Sequence, residues 1–441
     1  MRIAMLAWES LHSVAVGGVA AHVSELAVAL QRRGHSVHVF TRRQAGQSFY
    51  SRIDDVHYYR CSYPSHPDFI EEVNNMCRSF VDHVFEVEDR FGPFDVVHAH
   101  DWLAANAMIW IKQGRGRTGI FTVHSTEYGR CGNQFHGGQS ERIRMQERDA
   151  ISWADRVITV SGALSREIQW MYAAPEETLT VIANGVNSRR FDIELKPEAH
   201  ERRWPTVLFC GRLTMQKGPD LLIDAIPMVL SVHPRASFVL AGDGDMRGSL
   251  EERVRCLGVG DSTRFLGHRK GEGLVRLYHD ADVVCVPSRN EPFGIVVLEA
   301  WSAGKPVVVT DTGGPGEYVR HENNGLKIYP TSDSVAWGLR AVLDEPERAR
   351  WMGENGRRLV ETEYGWDDIA RRTEMVYDPD AAGRYFAEGG EYLAEAEADD
   401  HFDAPAAHGP VGTAGRARGL QSCVFRTRRK TNGAAVHSKR V

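Results

Sequence analysis

Apolar residues come along this chain in short runs, each followed by a polar stretch and then by apolar positions at helical spacing. Ile3-Ala4-Met5-Leu6-Ala7-Trp8 is such a run, short enough for a strand buried on both faces. A loop ends at Gly17-Gly18. Val19, Val23, Leu26, Ala27 and Leu30 then fall on one face of a helix, and Gly34 stands where a helix stops. Val37-His38-Val39-Phe40 reads as the next strand. Strand, loop, helix, strand is one unit of a parallel α/β sheet.

Further runs at 95–100, 120–124, 156–160 and 179–183 alternate with helical stretches. The pattern then restarts. Thr206-Val207-Leu208-Phe209-Cys210 reads as a strand, 211–218 as a loop, 219–232 as a helix and Phe238-Val239-Leu240 as a strand. Strands at 282–286 and 306–309 follow. The fold class is therefore α/β, with two tandem doubly wound, Rossmann-like domains over 1–190 and 204–364, joined by a polar linker around 189–204.

Residues 378–441 break the pattern. They are acidic and Ala/Gly-rich as far as Asp403, then carry eight Lys/Arg and no acid between Arg416 and Arg440. Few large apolar residues occur there, so the stretch reads as a low-complexity, disordered tail. A basic arm for an anionic surface, giving peripheral membrane contact, and an altered C-terminus are the other readings.

Composition narrows the class. The chain has 441 residues, 42% hydrophobic and 25% charged, as in an ordinary globular protein of two or three domains. A formal net charge of −6 counts against a dedicated nucleic-acid binder. No apolar run approaches the roughly 18–20 residues that span a bilayer, and the N-terminal run is too short for a signal-peptide core. Seven cysteines without a C-x-x-C pair fit a reducing compartment. A cytoplasmic, enzyme-sized protein is expected. The tail carries nine Lys/Arg and nine Asp/Glu, so the whole −6 belongs to the body. Such a body holds an anion only through a local site.

In tandem parallel-sheet domains the ligand sits beyond the carboxyl ends of the strands. Arg212 and Lys217 share the loop Gly211-Arg212-Leu213-Thr214-Met215-Gln216-Lys217-Gly218, which precedes a helix. Two fixed cations beside a helix start suit a diphosphate, though a solvated surface loop has the same composition. After the strand at Val286 comes Pro287-Ser288-Arg289-Asn290-Glu291-Pro292-Phe293-Gly294-Ile295-Val296-Val297-Leu298-Glu299. Pro292 fits a helix start, which would leave the amides of 293–296 free for an anion. Glu291 would lie just outside that helix and Glu299 about two turns inside. A carboxylate there is better used on sugar hydroxyls than on phosphate; a helix-start acid and a solvated helix residue are the bland readings.

Together these segments resemble family 4 of the retaining glycosyltransferases. The resemblance rests on the 211–218 loop, the segment from Pro287 to Glu299, Thr312-Gly313-Gly314-Pro315-Gly316-Glu317, the Gly17-Gly18 loop, His98-Ala99-His100-Asp101-Trp102 and Val181-Ile182-Ala183-Asn184-Gly185-Val186. It covers about 1–377 and implies the two-domain GT-B fold, with domains facing a cleft and a C-terminal helix, 365–377, crossing back to the N-terminal domain.

By position, the resemblance implies that Arg212 and Lys217 grip a donor diphosphate. Glu291 would bind the sugar hydroxyls and Glu299 the ribose. Phe293, Gly294, Ile295 and Val296 would add to the phosphate site, Gly242 would lie near the nucleotide, and Gly17 and Gly18 would let backbone approach the phosphates. His124 matches a histidine near the reacting carbon. Asp101 reads either as an acceptor-side residue or as a structural one. No metal and no other cofactor is implied. The partners are a nucleotide-sugar, UDP- or ADP-glucose, and a glycan, lipid or small-molecule acceptor.

The start and His124-Ser125-Thr126-Glu127-Tyr128-Gly129-Arg130-Cys131-Gly132-Asn133 are similar to glycogen and starch synthases. Those enzymes carry Lys-x-Gly-Gly where this chain has Ala15-Val16-Gly17-Gly18, and Pro and Asp where it has Ala183 and Asn187. A hexosyltransferase is the expected function. Glucan elongation and a non-catalytic sugar-nucleotide-binding protein are the alternatives. A nicotinamide oxidoreductase would need a G-x-G-x-x-G turn after the first strand, which is missing. The D-x-D at Asp243-Gly244-Asp245 reads as a turn, not a metal site. His98 and His100 share one strand face, with Asp101 next, but no third soft ligand is evident for zinc.

Overall fold

The computed structural model describes residues 1–193 and 204–378. Most of the expected linker, and all of the expected tail except Asp378, lie outside the described residues. The N-terminal lobe holds β1 (Arg2–Ala7), β2 (Ser36–Arg42), β3 (Tyr50–Ile53), β4 (Val56–Cys61), β5 (Val96–His100), β6 (Thr118–Val123), β7 (Arg156–Thr159) and β8 (Leu179–Val181). They form one sheet in the order β3-β4-β2-β1-β5-β6-β7-β8, parallel except for the β3–β4 hairpin. The C-terminal lobe holds β9 (Thr206–Cys210), β10 (Ser237–Ala241), β11 (Thr263–Gly267), β12 (Val283–Val286), β13 (Val307–Thr310) and β14 (Gly325–Ile328). This second sheet is parallel throughout, in the order β11-β10-β9-β12-β13-β14.

The central strands are continuous apolar runs because helices cover both faces of each sheet. Ile3 to Ala7, Val283 to Val286 and Val307 to Val309 are all buried. Among the parallel strands of each sheet the order reverses once: between β1 and β5, and between β9 and β12. Ligand crevices form at such switch points, beyond the carboxyl ends of the flanking strands. The segments that leave these four strands are Trp8 to Gly17, Asp101, Gly211 to Gly218 and Pro287 to Gly294. Most of the expected site residues lie on them.

The last described helix, Trp366–Tyr377, packs on the N-terminal lobe. Trp366, Ile369 and Ala370 join the cluster of Val23, Leu26, Ala27 and Leu30 from the helix Gly18–Arg32. Arg32 pairs with Asp367 at 2.7 Å and Arg33 with Glu374 at 2.5 Å. Gly185 has room for nothing more: a Cβ there would lie 2.7 Å from the Trp366 ring. Three side chains of the C-terminal lobe also tie it to the N-terminal lobe. Glu317 accepts from the amide of Gly162 at 2.9 Å and pairs with Arg166 at 2.8 Å. Lys270 donates to the carbonyl of Ala15 at 3.0 Å, and Asn290 donates to Asn133 at 2.7 Å.

Candidate active site

In the C-terminal lobe the loop after β9 is shaped by its glycines. Gly242, just past β10, has φ +149, and a Cβ on it would stand 1.8 Å from the carbonyl oxygen of Gly211. The two post-strand loops can touch only because Gly242 has no side chain. Gly218, at φ +64, likewise lets the same loop meet the carbonyl of Pro287. Lys217 is thereby laid across the β9–β12 switch point. Its Nζ donates to both oxygens of Glu291, at 2.8 and 2.6 Å. The Ser288 hydroxyl donates to the same carboxylate at 3.0 Å. Glu291 is only 5% exposed, and Lys217 is partly exposed. Arg212 donates to Gln216 at 3.1 Å.

The helix that follows begins at Ile295, not at Pro292, and ends at Ser302. Gly294 turns with φ +87. The carbonyl of Glu291 is taken by the amide of Gly314, and that of Phe293 by the Tyr318 hydroxyl. The proline start signal is overridden by these tertiary contacts. Ile295 and Val296 therefore open the helix, where first-turn amides lack intrahelical acceptors, and Glu299 lies little more than one turn inside. Glu299 is not a solvated helix residue. It is partly buried, accepts from the Tyr278 hydroxyl at 2.5 Å, and burial raises its pKa.

On the other lobe, Asp101 follows β5 with φ 57 and ψ 170, a conformation nearly reserved for glycine. Its surroundings fix it there. Its amide donates to the carbonyl of Thr122 at 2.9 Å, and its carboxylate accepts from the amides of His124 and Ser125 at 2.7 and 3.3 Å. Burial raises its pKa, opposed by Arg130 and, from the C-terminal lobe, by Arg212. The Arg212 charge therefore lies within electrostatic reach of Asp101 across the cleft. His124 has Nε2 3.2 Å from His100 Nδ1, and burial lowers its pKa to about 3, so its imidazole is neutral.

The Gly17-Gly18 loop meets the C-terminal lobe directly: a Cβ on Gly18 would lie 2.9 Å from Cδ1 of Ile295. The amides of Gly17 and Val16 already have a partner, the carboxylate of Glu9, at 2.8 and 2.5 Å. The structure thus gathers Gly18, Asp101 and His124 opposite Arg212, Lys217, Glu291 and Ile295. Glu299 and Gly242 lie in the C-terminal lobe against Tyr278 and Gly211. Asp243, in the D-x-D turn, pairs with Arg247 at 3.2 Å.

Models of two families match this chain. That of the glycosyltransferase family 4 covers 16–190, and that of the glycosyl transferases group 1 covers 191–359. An uncharacterized glycosyltransferase of Methanocaldococcus jannaschii is 39% identical over 394 residues, which are 86% of this chain and 98% of that protein. The chain is a family 4 glycosyltransferase. A glycogen synthase of Mycobacterium tuberculosis is 31% identical over 405 residues, 86% of this chain and 94% of its own. The two facing Rossmann-like domains are the GT-B fold. A sucrose-phosphate synthase from Thermosynechococcus elongatus superposes with a TM-score of 0.74 at 25% identity, over 87% of this chain and all but 1% of its own. HepE of Anabaena, solved in complex with UDP and glucose, superposes with 0.69 at 20% identity, over 86% of this chain and 100% of its own.

Several residues of this glycosyltransferase site were not expected. Glu9 holds the Gly17 loop, Ser288 holds Glu291, and Gln216 holds Arg212 and accepts from the amide of Arg289 at 2.9 Å. Asn290 reaches across to Asn133 and to Glu167. Ser288, Asn290 and Gln216 lie inside the two motif segments. A count of polar residues per motif finds them; Glu9 has no such signal. No helix among the described residues is long and apolar enough to cross a membrane.

Proposed function

We propose that this protein is a retaining hexosyltransferase that moves a sugar from a nucleoside diphosphate-sugar, UDP- or ADP-glucose, to a hydroxyl of a glycan or other acceptor. In this reading it works in the cytoplasm and without a metal ion. One observation carries the proposal: Lys217 and Glu291 form a tight pair at the switch point of one lobe, opposite the fixed Asp101 and the neutral His124 of the other. A cation beside a carboxylate is what a sugar diphosphate needs, the cation for phosphate and the carboxylate for sugar hydroxyls.

Breaking the sugar–phosphate bond puts negative charge on the diphosphate. Arg212, Lys217 and the amides of Ile295 and Val296 stabilise it. Glu291 holds the sugar hydroxyls and Glu299 the ribose. His124, neutral, adds no cationic charge beside the reacting carbon. Among the described residues the two carboxylates at the site are already engaged, Glu291 by Lys217 and Ser288 and Asp101 by the amides of His124 and Ser125. In this reading the acceptor therefore attacks on the face that the diphosphate leaves, and a phosphate oxygen takes the acceptor's proton. Lobe closure keeps water out.

The test is transfer from a panel of UDP-, ADP- and GDP-glucose, with Lys217→Ala and Glu291→Ala beside the parent protein and chelator in every reaction. Transfer falls by orders of magnitude in both variants while the fold survives. Near-normal turnover in both refutes the assignment.

Glucan elongation is the second reading. Tyr128, Phe135 and Trp170 group with ring centroids 4.9 to 5.9 Å apart, with Phe135 and Trp170 more than half exposed. The group flanks Asn133, which bonds to Asn290 beside Glu291. Exposed aromatic faces beside a cleft suit the apolar faces of an oligosaccharide. An oligoglucan that outcompetes monosaccharide and inositol-phosphate acceptors, and loses that advantage in Trp170→Ala, supports this reading.

A further inference from the structure

His124 belongs to a group of three histidines, and the transfer reaction uses neither of the other two. His22 comes from the helix Gly18–Arg32, His100 from the end of β5, and His124 from just past β6. Each offers one ring nitrogen, and the three nitrogens lie within 4.8 Å of one another. His100 Nδ1 and His124 Nε2 are 3.2 Å apart. Two imidazoles on one tetrahedral metal ion stand about 3.3 Å apart, from bonds of about 2.0–2.1 Å. The ring of His22 lies 4.5 Å from that of His124 and 5.3 Å from that of His100, centre to centre.

Two features mark the group as chemically incomplete. His22 Nδ1 bonds to the side-chain oxygen of Asn184 at 2.7 Å. That oxygen only accepts, so the proton is on Nδ1 and the lone pair is on Nε2. Nε2 of His22 is buried with no partner, and Nδ1 of His100 faces Nε2 of His124. His22 and His100 are less than 5% exposed. A ring fixed by an oxygen on one nitrogen and bare on the other is how metal-ligating histidines are presented. His98 is not a member. Its two nitrogens bond to Tyr377 and Thr122 at 2.7 and 2.6 Å.

We propose that His22, His100 and His124 bind a divalent transition-metal ion, Zn²⁺ in particular, and that the bound ion inhibits sugar transfer by engaging His124. Three imidazoles with no carboxylate among them suit zinc, copper or nickel and not magnesium or calcium. The ion takes a nitrogen of the histidine assigned to the reacting carbon, so it acts as a brake and not as a cofactor. Only the inhibitory half rests on the proposed function; the binding half stands by itself.

The experiment uses the full chain, without a histidine tag, stripped by chelator. Co²⁺ is titrated by visible absorption and Zn²⁺ by calorimetry. One equivalent binds with the spectrum of low-coordinate Co²⁺, and this is lost in His22→Gln. Asn184→Ala, which frees the His22 ring, weakens binding by about 10–100-fold. Thermal unfolding and nucleoside diphosphate binding report that each variant is folded, and His100→Gln replaces His22→Gln if that variant does not fold. Absence of Co²⁺ binding to the folded parent overturns the proposal, and so does binding that persists unchanged in the folded histidine variant. In the transfer assay Zn²⁺ inhibits the parent, chelator restores it, and any variant that keeps activity is about tenfold or more less sensitive. Binding without inhibition overturns the second half alone. A parent that binds one Co²⁺ but transfers from no donor leaves the site established and refutes the proposed reaction instead.

Discussion

The Lys217–Glu291 pair makes opposite demands on binding and on turnover, and Glu291→Gln separates them. Glutamine keeps the shape and an acceptor for Ser288 and Lys217 but removes the charge. In the parent, Nζ gives two bonds to the carboxylate, at 2.8 and 2.6 Å, which leaves one of its three protons for phosphate. Two charges about 4 Å apart at an effective dielectric of 20 attract by about 4 kcal/mol before desolvation is subtracted. Charge-assisted bonds of this kind are worth about 1.5–3 kcal/mol net. A carboxylate 5% exposed therefore masks much of the lysine's field from an incoming diphosphate. Removing it should tighten binding of the bare nucleoside diphosphate by about tenfold, or 1.4 kcal/mol. Transfer should fall instead, by about 100-fold in kcat/KM, because the charge-assisted bond to the sugar hydroxyl is lost. Calorimetry with the diphosphate and initial rates with the diphosphate-sugar give the two numbers. If Glu291→Gln binds the bare diphosphate more weakly than the parent, Glu291 acts on the phosphate and not on the sugar, and the assignment fails.

Three further outcomes follow from single contacts. Gly242→Ala puts a Cβ 1.8 Å from a backbone carbonyl, with φ at +149, and should lower stability by about 3 kcal/mol or more; a thermal midpoint within a degree or two of the parent contradicts the close approach. Glu317→Ala removes both the Arg166 pair and the acceptor of the Gly162 amide. These contacts are partly exposed, so stability should change by less than about 1 kcal/mol. The lobes should open, read as a larger radius of gyration in solution scattering, and an unchanged radius excludes the latch. His38 is buried, stacked on His57, and lies near Arg2, and burial lowers its pKa from 6.5 to about 3. The folded protein keeps it neutral while the unfolded chain takes a proton below about pH 6.5, so stability falls as pH drops through that value. The cost is about 2 kcal/mol at pH 5, and His38→Phe should remove that much of the difference between urea unfolding at pH 7.5 and at pH 5. An equal difference in both proteins refutes it.

How much of the molecule was legible depends on where each strand's neighbours lie. β1, β5, β6, β9, β12 and β13 read as strands because helices cover both faces, which leaves an unbroken apolar run. The β3–β4 hairpin did not. Tyr50–Ile53 is a half-exposed edge with a charge in it, and its turn, Asp54-Asp55, adopts φ 49 and 62 without a glycine to announce it. β11 and β14 escaped for related reasons: Arg264 and Lys327 interrupt segments of five and four residues. Within the site, Arg212, Lys217 and Glu291 were findable because a strand end comes just before each. The helix start at Ile295 was not, because Pro292 gives a stronger local signal than the tertiary bonds that override it.

The histidines show where sequence spacing stops being informative. His98 and His100 stand two apart on β5, and period 2 correctly puts them on one face. From that point their chemistry diverges. His98 is closed off by a hydroxyl 279 residues away, Tyr377, and by Thr122 on β6. His100 is left with a bare nitrogen beside two rings from other elements. With His98 excluded, the third soft ligand beside His100 and His124 is His22, whose orientation depends on Asn184, 162 residues further along the chain. Neither partner is adjacent to the strand in sequence, and neither lies on a motif that histidine spacing would single out. A metal site on this fold is therefore assembled by the packing of helix Gly18–Arg32 against the sheet, and a substitution that presses Trp366 onto the His22 ring, such as Gly185→Ala, should weaken Co²⁺ binding without touching a ligand. Unchanged Co²⁺ affinity in a folded Gly185→Ala protein means that the three rings are positioned by the strands alone.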